Sequence, residues 1–336
     1  MEVDKSNLKE VILDSVNQLE VELEFFNQLN INRRSFSKVI LCGMGGSNLI
    51  GDMLAFFKIN NFSPLTVTLP LLSHRSYGLP AEADRDTLVI CVSYSGNTEE
   101  SLSAYQVAKQ AGLEIAGIAS GGKLTELLQK EKHPWIKIAR DDIPPRFSLG
   151  YQLAALTKLL MSYGLLPPFA LQELAAIPDK IKPAQIENEA KLLCHKLNHR
   201  IPIIYCSDQN HAIAHIWKIK FNENAKIPAF WNVFPELNHN EMNGWSRPLG
   251  PFHFLFLRDP DDLPRIQKRA DLTAEILKQN SLPVDFVKMP TFSNPAEKLF
   301  WMLAFGDWLS YHLALFYGID PAPVDMVEEF KKRLNE

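Results

Sequence analysis

The sequence has few cysteines, and they do not form the pairs that usually bind structural zinc. The 336 residues include four, Cys42, Cys91, Cys194 and Cys206, and no two of them make a Cys-x-x-Cys pair. Three of the four lie in apolar runs typical of strands, where a buried thiol packs as a small hydrophobe. This usage argues against structural zinc and favours a reduced, cytoplasmic protein.

Long basic runs and long unbroken apolar runs are also absent. The formal net charge of −4 does not indicate a nucleic-acid partner. The most apolar stretch, residues 149–174, is interrupted by Lys158, Gly164 and a Pro-Pro pair, so we expect a core or subunit-interface helix and no membrane span. The acidic, polar start MEVDKSNLKE predicts no secretory signal.

Short apolar runs alternate with helical patterns along most of the chain. Such runs, buried on both faces, favour an α/β fold in which each sheet is mostly parallel and flanked by helices. We expect an N-terminal domain over 1–153 and a C-terminal domain over 154–336. Residues 1–30 show helical spacing. The predicted strands are 38–42, 65–69, 87–93, 114–119, 135–139, 201–206, 252–257 and 284–289.

A glycine-rich loop follows the first buried strand and precedes a helix. It reads Gly43-Met44-Gly45-Gly46-Ser47-Asn48. A nucleotide P-loop would end in Gly-Lys-Ser/Thr, and a dinucleotide fingerprint would have a third glycine where Asn48 stands. The loop therefore suits a small anion at a helix N-terminus, although a plain tight turn explains it equally well.

A second strand-to-helix junction is rich in hydroxyl groups. Strand 87–93 leads into Ser93-Tyr94-Ser95-Gly96-Asn97-Thr98-Glu99-Glu100. A capping box explains Asn97 and Glu100, but it does not explain Ser93, Ser95 and Thr98. Three hydroxyls beside backbone donors suit a phosphate monoester.

These two segments together resemble the signature of the sugar isomerase (SIS) domain. The match lies in V-S-Y-S-G-N-T-E-E-S and G-M-G-G-S. The resemblance implies two SIS-type domains and a loop that holds the phosphate of a sugar phosphate. By that resemblance the phosphate-binding residues are Gly46, Ser47, Ser93, Ser95 and Thr98.

Two segments in the second half narrow the resemblance. F-N-E-N-A-K contains Glu223, and F-P-E-L-N-H-N-E-M-N-G-W contains His239. Both are similar to the bifunctional phosphoglucose/phosphomannose isomerase family. In that family the glutamate is the proton-transfer base, and the histidine assists ring opening from the neighbouring subunit. Without the resemblance, a solvated glutamate and a hydrogen-bonded structural histidine would be the simpler interpretations.

Two basic residues complete the set of candidates. P-P-R-F-S-L-G-Y resembles a family segment whose arginine, here Arg146, stabilises the enediolate; the alternative is a surface cation beside Asp141 and Asp142. F-K-K-R-L resembles the family tail, in which Lys331 would assist ring opening. The alternative interpretation is that Lys331 is simply solvated on a charged terminal helix. Lys332 could also fill the ring-opening role instead of Lys331.

The resemblance implies an aldose–ketose isomerase that interconverts glucose 6-phosphate and mannose 6-phosphate with fructose 6-phosphate through a cis-enediol. It implies no metal and no other cofactor, a homodimer with a shared active site, and a role in glycolysis or gluconeogenesis. Two alternatives remain: another SIS isomerase, or a non-catalytic sugar-phosphate-binding regulator. A metal site at His211 and His215, or among Glu236, His239 and Glu241, has no diagnostic spacing.

Overall fold

The computed structural model describes residues 3–27, 35–138 and 142–334, which build two compact units. The first unit comprises Asp14–Ile181 with Asn294–Ala296. The second comprises Met1–Leu13, Lys182–Ser293 and Glu297–Glu336. The described part of each unit forms one mostly parallel sheet flanked by helices, so the predicted α/β architecture is confirmed. A boundary after residue 153 stays a prediction, and that residue lies inside a helix of the first unit.

In the described part of the first unit, the sheet has six strands in the order β1-β6-β5-β4-β2-β3. Its strands are β1 Glu24–Phe26, β2 Lys38–Cys42, β3 Leu71–His74, β4 Thr87–Ser93, β5 Glu114–Ala119 and β6 Trp135–Lys137. All neighbours are parallel except the pair β1 and β6. The central strand β4 is buried along its whole length because helices cover both faces of such a sheet.

Six of the described helices belong mainly to the first unit. They are α2 Gly46–Ile59, α3 Glu99–Gln110, α4 Gly122–Lys130, α5 Leu149–Ser162, α6 Ala170–Ala175 and α7 Ile177–Lys180. On one face, apolar residues of β2, β4 and β5 pack against α3 and α4 in a single buried cluster. The apolar stretch that begins at Leu149 is largely α5, a buried core helix as expected.

The sheet of the second unit has four parallel strands in the order β10-β9-β7-β8. The strands are β7 Ile201–Ser207, β8 Phe230–Phe234, β9 Phe252–Arg258 and β10 Val284–Lys288. The helices are α1 Leu8–Leu13, α8 Pro183–Cys194, α9 His211–Glu223, α10 Glu241–Gly244, α11 Pro264–Gln279, α12 Pro295–Phe316 and α13 Asp325–Leu334. Aromatic residues of β7 and β9 pack against α11 in the core of this unit.

Most predicted strands are confirmed, but the strand over 65–69 is wrong. Residues Ser63–Leu65 form a 3₁₀ turn with a proline at its start, and the strand follows at Leu71–His74. The helical spacing over 1–30 is confirmed only in part, since the described part of that segment holds the short helix α1, a 3₁₀ turn at Asn17–Glu20 and β1. The apolar stripe from Leu8 to Leu19 is nevertheless buried, because burial follows from apolar spacing even where the helix is interrupted.

Helix α12 is long and apolar enough to cross a membrane by length and composition alone. Its most apolar 18-residue window is 78% buried inside the protein. A core helix of a water-soluble protein shows the same combination, and buried helices are apolar all round. We therefore describe α12 as a core helix of the second unit.

Candidate functional site

The carboxyl ends of β2 and β4 define a crevice in the first unit. The two strands are neighbours, and Cys42 lies opposite Cys91 in their register. From β2 the chain proceeds to β3 on one side, and from β4 it proceeds to β5 on the other side. In open parallel sheets such a reversal of strand order leaves the crevice in which ligands bind. Both glycine- and serine-rich loops begin at this crevice.

Ser47 connects these two loops. It lies in the first turn of α2 and is 5% exposed. Its Oγ accepts a hydrogen bond from the backbone N–H of Tyr94, at a distance of 3.0 Å. The hydroxyl proton of Ser47 is not used in this bond, so the group can still donate to an anion at the N-terminus of α2.

Ser93 and Thr98 form the second part of the candidate anion site. The Ser93 hydroxyl donates to the Thr98 hydroxyl over 2.9 Å and accepts from the backbone N–H of Thr98 over 3.3 Å. Ser93 is fully buried, whereas Ser95 is exposed. Helix α3 begins one residue after Thr98, and the start of a helix leaves backbone N–H groups without partners inside the helix. Hydroxyl and N–H donors therefore gather at one helix start.

The interpretation of Asn97 as the cap of the following helix is wrong. The N-cap of α3 is Thr98, which makes no side-chain capping bond. The Asn97 Oδ1 instead accepts from the backbone N–H of Lys123, in the first turn of α4. Gly96 makes this possible because it has a φ of 71° and packs directly against the carbonyl of Gly121. Asn97 thus ties the loop to a helix that is distant in sequence.

Arg146 lies in a short 3₁₀ turn that packs against the start of α2. A Cβ on Gly46 would be 2.9 Å from the backbone nitrogen of Arg146, so only glycine allows this approach. Arg146 is 2% exposed, and its Cζ lies 5.4 Å from the ring centroid of Phe147. The interpretation as a surface cation is therefore wrong. Asp141, the suggested neighbour, lies outside the described residues.

Two buried glutamines fix the segment that carries Arg146. Gln18 Nε2 donates to the carbonyl of Phe147 over 2.7 Å. Gln152 Nε2 donates to the carbonyl of Pro145 over 3.0 Å and to Ser148 Oγ over 2.8 Å. Neither glutamine is among the sequence-predicted residues. A single amide within an apolar helix, as in G-Y-Q-L-A-A-L, is the signal that points to Gln152.

In the second unit, Glu223 is the last residue of α9 and is partly buried. Lys226, whose φ is 57°, folds back and donates from its Nζ to the carbonyl oxygen of Glu223 over 2.5 Å. The same Nζ reaches the carbonyl of Pro321 over 3.2 Å. Lys226 thus links the end of α9 to the segment that precedes α13.

His239 is exposed in the loop between β8 and β9. Glu241 anchors this loop, because its carboxylate accepts from the hydroxyl of Tyr205 over 2.6 Å and from the side-chain amide of Asn232. Trp245 Nε1 donates to the same Tyr205 hydroxyl over 2.7 Å. Burial and the bond to Glu241 raise the pKa of Tyr205 far above its usual value, so the phenol stays protonated. The sequence suggested Glu241 only as a possible metal ligand, and it did not point to Tyr205, Asn232 or Trp245 as anchors.

Lys331 is exposed on α13 and forms a 2.7 Å ion pair with Glu328. Lys332 is exposed as well. Within the described residues, no group of three histidine, cysteine, aspartate or glutamate side chains is arranged to hold a metal ion. His211 and His215 instead lie against Trp231, with ring centroids 6.5 and 5.7 Å away.

The second sheet has a corresponding crevice between β7 and β9, but it is filled by the protein's own charges. The buried Lys298 ammonium lies 2.8 Å from Asp259 and 2.7 Å from Asp261. Burial raises the pKa of Asp262, which is 7% exposed, to about 6. Carboxylates at this position oppose the binding of phosphate. Among the crevices described, the one in the first unit is therefore better suited to an anion.

Comparison with known families identifies both halves of the chain. Residues 34–162 match the SIS domain, and residues 186–334 match the bacterial phospho-glucose isomerase C-terminal SIS domain. A bifunctional phosphoglucose/phosphomannose isomerase from Caldicellulosiruptor bescii is 38% identical over 311 residues, covering 89% of this chain and 90% of the relative. One from Aquifex aeolicus is 33% identical over 306 residues, covering 90% and 91%.

A solved structure supports the fold. A protein of Thermus thermophilus, described as hypothetical, superposes with a TM-score of 0.68 at 17% identity, covering 99% of this chain and 90% of its own. At that identity the likeness concerns the fold alone. The prediction of two SIS-type domains is confirmed by the two family matches.

Proposed function

The chain belongs to the bifunctional phosphoglucose/phosphomannose isomerase family, and on that premise we propose that it interconverts glucose 6-phosphate and mannose 6-phosphate with fructose 6-phosphate. The resemblance noted in the sequence is confirmed by relatives of at least 32% identity over about nine-tenths of the chain. As a metabolic enzyme of this kind, it is expected to act in the cytoplasm.

The observation that carries the proposal is the meeting of three segments at the crevice of the first sheet. The start of α2 contacts both the loop after β4 and the turn at Arg146 there. Hydroxyl and N–H donors of this kind suit reversible binding of a metabolite phosphate. Gly46, Ser47, Ser93, Ser95 and Thr98 are proposed to hold that phosphate.

The proposed chemistry uses groups of this chain and no cofactor. His239 and Lys331 assist opening of the sugar ring, with His239 supplied by the partner subunit of a homodimer. Glu223 takes the proton from C2, and the electrons of that bond move toward O1 to form a cis-enediolate. The guanidinium of Arg146 stabilises the developing negative charge. The proton of the C2 hydroxyl then passes to O1, Glu223 returns its captured proton to C1, and C2 becomes the ketone.

The purified protein should be assayed with glucose 6-phosphate, mannose 6-phosphate and fructose 6-phosphate in the presence of EDTA. Because an amide cannot accept the proton, Glu223→Gln should lower turnover by about three orders of magnitude or more. The variant should still bind fructose 6-phosphate. Glu189→Gln, which changes an exposed glutamate of α8, is the matched control and should behave as the wild type. Retained turnover in Glu223→Gln would remove this residue from the mechanism. Absence of turnover in the wild type would refute the proposed activity.

A further inference from the structure

The last turn of α9 is attached to α12 at two points on either side of Glu223. Three residues before it, Lys220 Nζ lies 2.5 Å from Asp307 Oδ1, and these side chains are 2% and 7% exposed. One residue after it, Asn224 Nδ2 donates to Ser310 Oγ over 2.9 Å. The buried Ser310 hydroxyl in turn donates to the carbonyl of Gly306 over 2.8 Å.

Close packing makes these attachments rigid. A Cβ on Gly306 would lie 2.6 Å from the indole nitrogen of Trp217, so the two helices approach closely at this glycine. Trp217 also donates to the carbonyl of Met302 over 2.8 Å and stacks on Phe305 with ring centroids 5.5 Å apart. Tightly packed helices allow little sliding or rotation, so the end of α9 is held in one orientation.

This geometry fixes the backbone position of Glu223 at the end of α9. Lys220 and Asn224 are four residues apart, which places them on the same face of the helical turn, toward α12. Around the helix axis Glu223 lies about 60° from Lys220 and about 100° from Asn224, so it stands at the edge of the face that contacts α12. Lys226 provides a third attachment. Its ammonium binds the carbonyl oxygen of Glu223 and that of Pro321, so it ties the end of α9 to the segment that precedes α13.

We propose that Asn224, Ser310 and Lys226 are positioning residues for the carboxylate of Glu223. They touch neither the substrate nor the transferred proton. They hold the end of α9 so that the carboxylate meets C1 and C2 of the sugar at a fixed distance. This inference rests on the proposed function, in which Glu223 is the base.

A matched pair of variants at Ser310 tests the neutral hydrogen bond. Ser310→Thr adds a methyl group and keeps the hydroxyl, whereas Ser310→Val has nearly the same shape with a methyl group in place of the hydroxyl, so the pair differs chiefly in the hydrogen bond. Because small displacements of a catalytic group cost about 10- to 100-fold in rate, Ser310→Val should lower kcat by about that factor relative to Ser310→Thr. The KM for fructose 6-phosphate should stay within about threefold, since the phosphate site is unchanged.

Lys226 provides a second test that does not disturb the core, because its side chain is exposed. Lys226→Met removes the ammonium and should lower kcat, whereas Lys226→Arg keeps a donor and should recover most of the activity. Reactions run in D2O give a further readout. A displaced carboxylate exchanges its captured proton with water more often, so Lys226→Met should yield product with more solvent deuterium at C1 or C2.

Three results would overturn the inference. Ser310→Val and Ser310→Thr could have the same kcat, Lys226→Met could match the wild type in kcat and deuterium content, or the losses could lie in KM alone. Should Ser310→Val not fold, the Lys226 pair decides. Failure of the proposed function is recognised separately, because the wild type would then show no turnover. Failure of Glu223 as the base would appear as retained turnover in Glu223→Gln. An inactive Glu223→Gln together with unaffected Ser310 and Lys226 variants would reject positioning only.

Discussion

The Oγ of Ser47 accepts a hydrogen bond from the backbone N–H of Tyr94 over 3.0 Å. This bond joins the loop after β2 to the loop after β4, which are separated by almost fifty residues in the chain. It places one serine where it can both hold the crevice together and face a bound anion.

Replacement of Ser47 should weaken substrate binding more than it slows catalysis. A hydrogen bond to a charged group contributes about 1.5–3 kcal/mol, so Ser47→Ala should raise the KM for fructose 6-phosphate by about 10- to 100-fold. The kcat should change little, because the phosphate is held equally in the ground state and the transition state. Steady-state kinetics with fructose 6-phosphate provide the measurement.

The control for this variant is Ser101→Ala. Ser101 is also buried, but its hydroxyl donates to the carbonyl of Val92 over 3.0 Å and serves only to attach α3 to β4. Its loss should lower stability by about 1 kcal/mol and leave KM unchanged. An unchanged KM in Ser47→Ala would exclude this serine from the phosphate site.

Asp262 should make the stability of the protein depend on pH. Burial raises the pKa of its carboxyl from 3.8 to about 6 in the folded protein. Between about pH 4 and 6 the native state therefore binds more protons than the unfolded state, and stability falls as the pH rises through this range. Above that range the penalty is constant, at about 3 kcal/mol or less.

Asp262→Asn removes the ionisable group and should raise the free energy of unfolding at pH 8 by about 1–3 kcal/mol. The gain should disappear near pH 4, where the wild-type carboxyl is protonated in the native state. Urea unfolding at several pH values provides the measurement. Asp208→Asn, at an exposed position on the neighbouring loop, should show no comparable gain at pH 8. A constant difference between Asp262→Asn and the wild type across pH 4–8 would contradict the prediction.

A shared active site predicts that two inactive variants restore activity when their chains are mixed. Glu223→Gln and His239→Ala should each be inactive alone. If Glu223 and His239 of one site come from different chains, each mixed dimer contains one intact site. Random mixing should then restore about one quarter of the wild-type activity, since half the dimers are mixed and half their sites are intact.

The mixing experiment should use chains unfolded and refolded together, with each variant refolded alone as the control. Sites formed within a single chain would leave the mixture inactive. That result, or full activity in a monomer, would contradict the proposed homodimer with a shared active site.

Local patterns in the sequence predicted the strands that are buried on both faces, including β2 and β4, and the two loops that follow them. They failed at residues 65–69, where a proline starts a turn before the strand. They also predicted that Asn97 caps α3, the adjacent helix, although its side chain binds the first turn of α4 instead. Capping of a distant helix depends on how a loop packs, and sequence spacing does not contain that information.

By itself, the amino-acid sequence determined the alternation of strands and helices, the donors at the two helix starts and the family to which the chain belongs. Periodicity and short motifs are local, so they can be recognised without a structure. Only the tertiary structure decided that Arg146 is buried against Gly46, that the crevice of the second sheet is filled by Lys298 and its aspartates, and that α12 holds the end of α9 beside Glu223. Each of these depends on contacts between residues far apart in the chain, which the packing of helices on sheets creates.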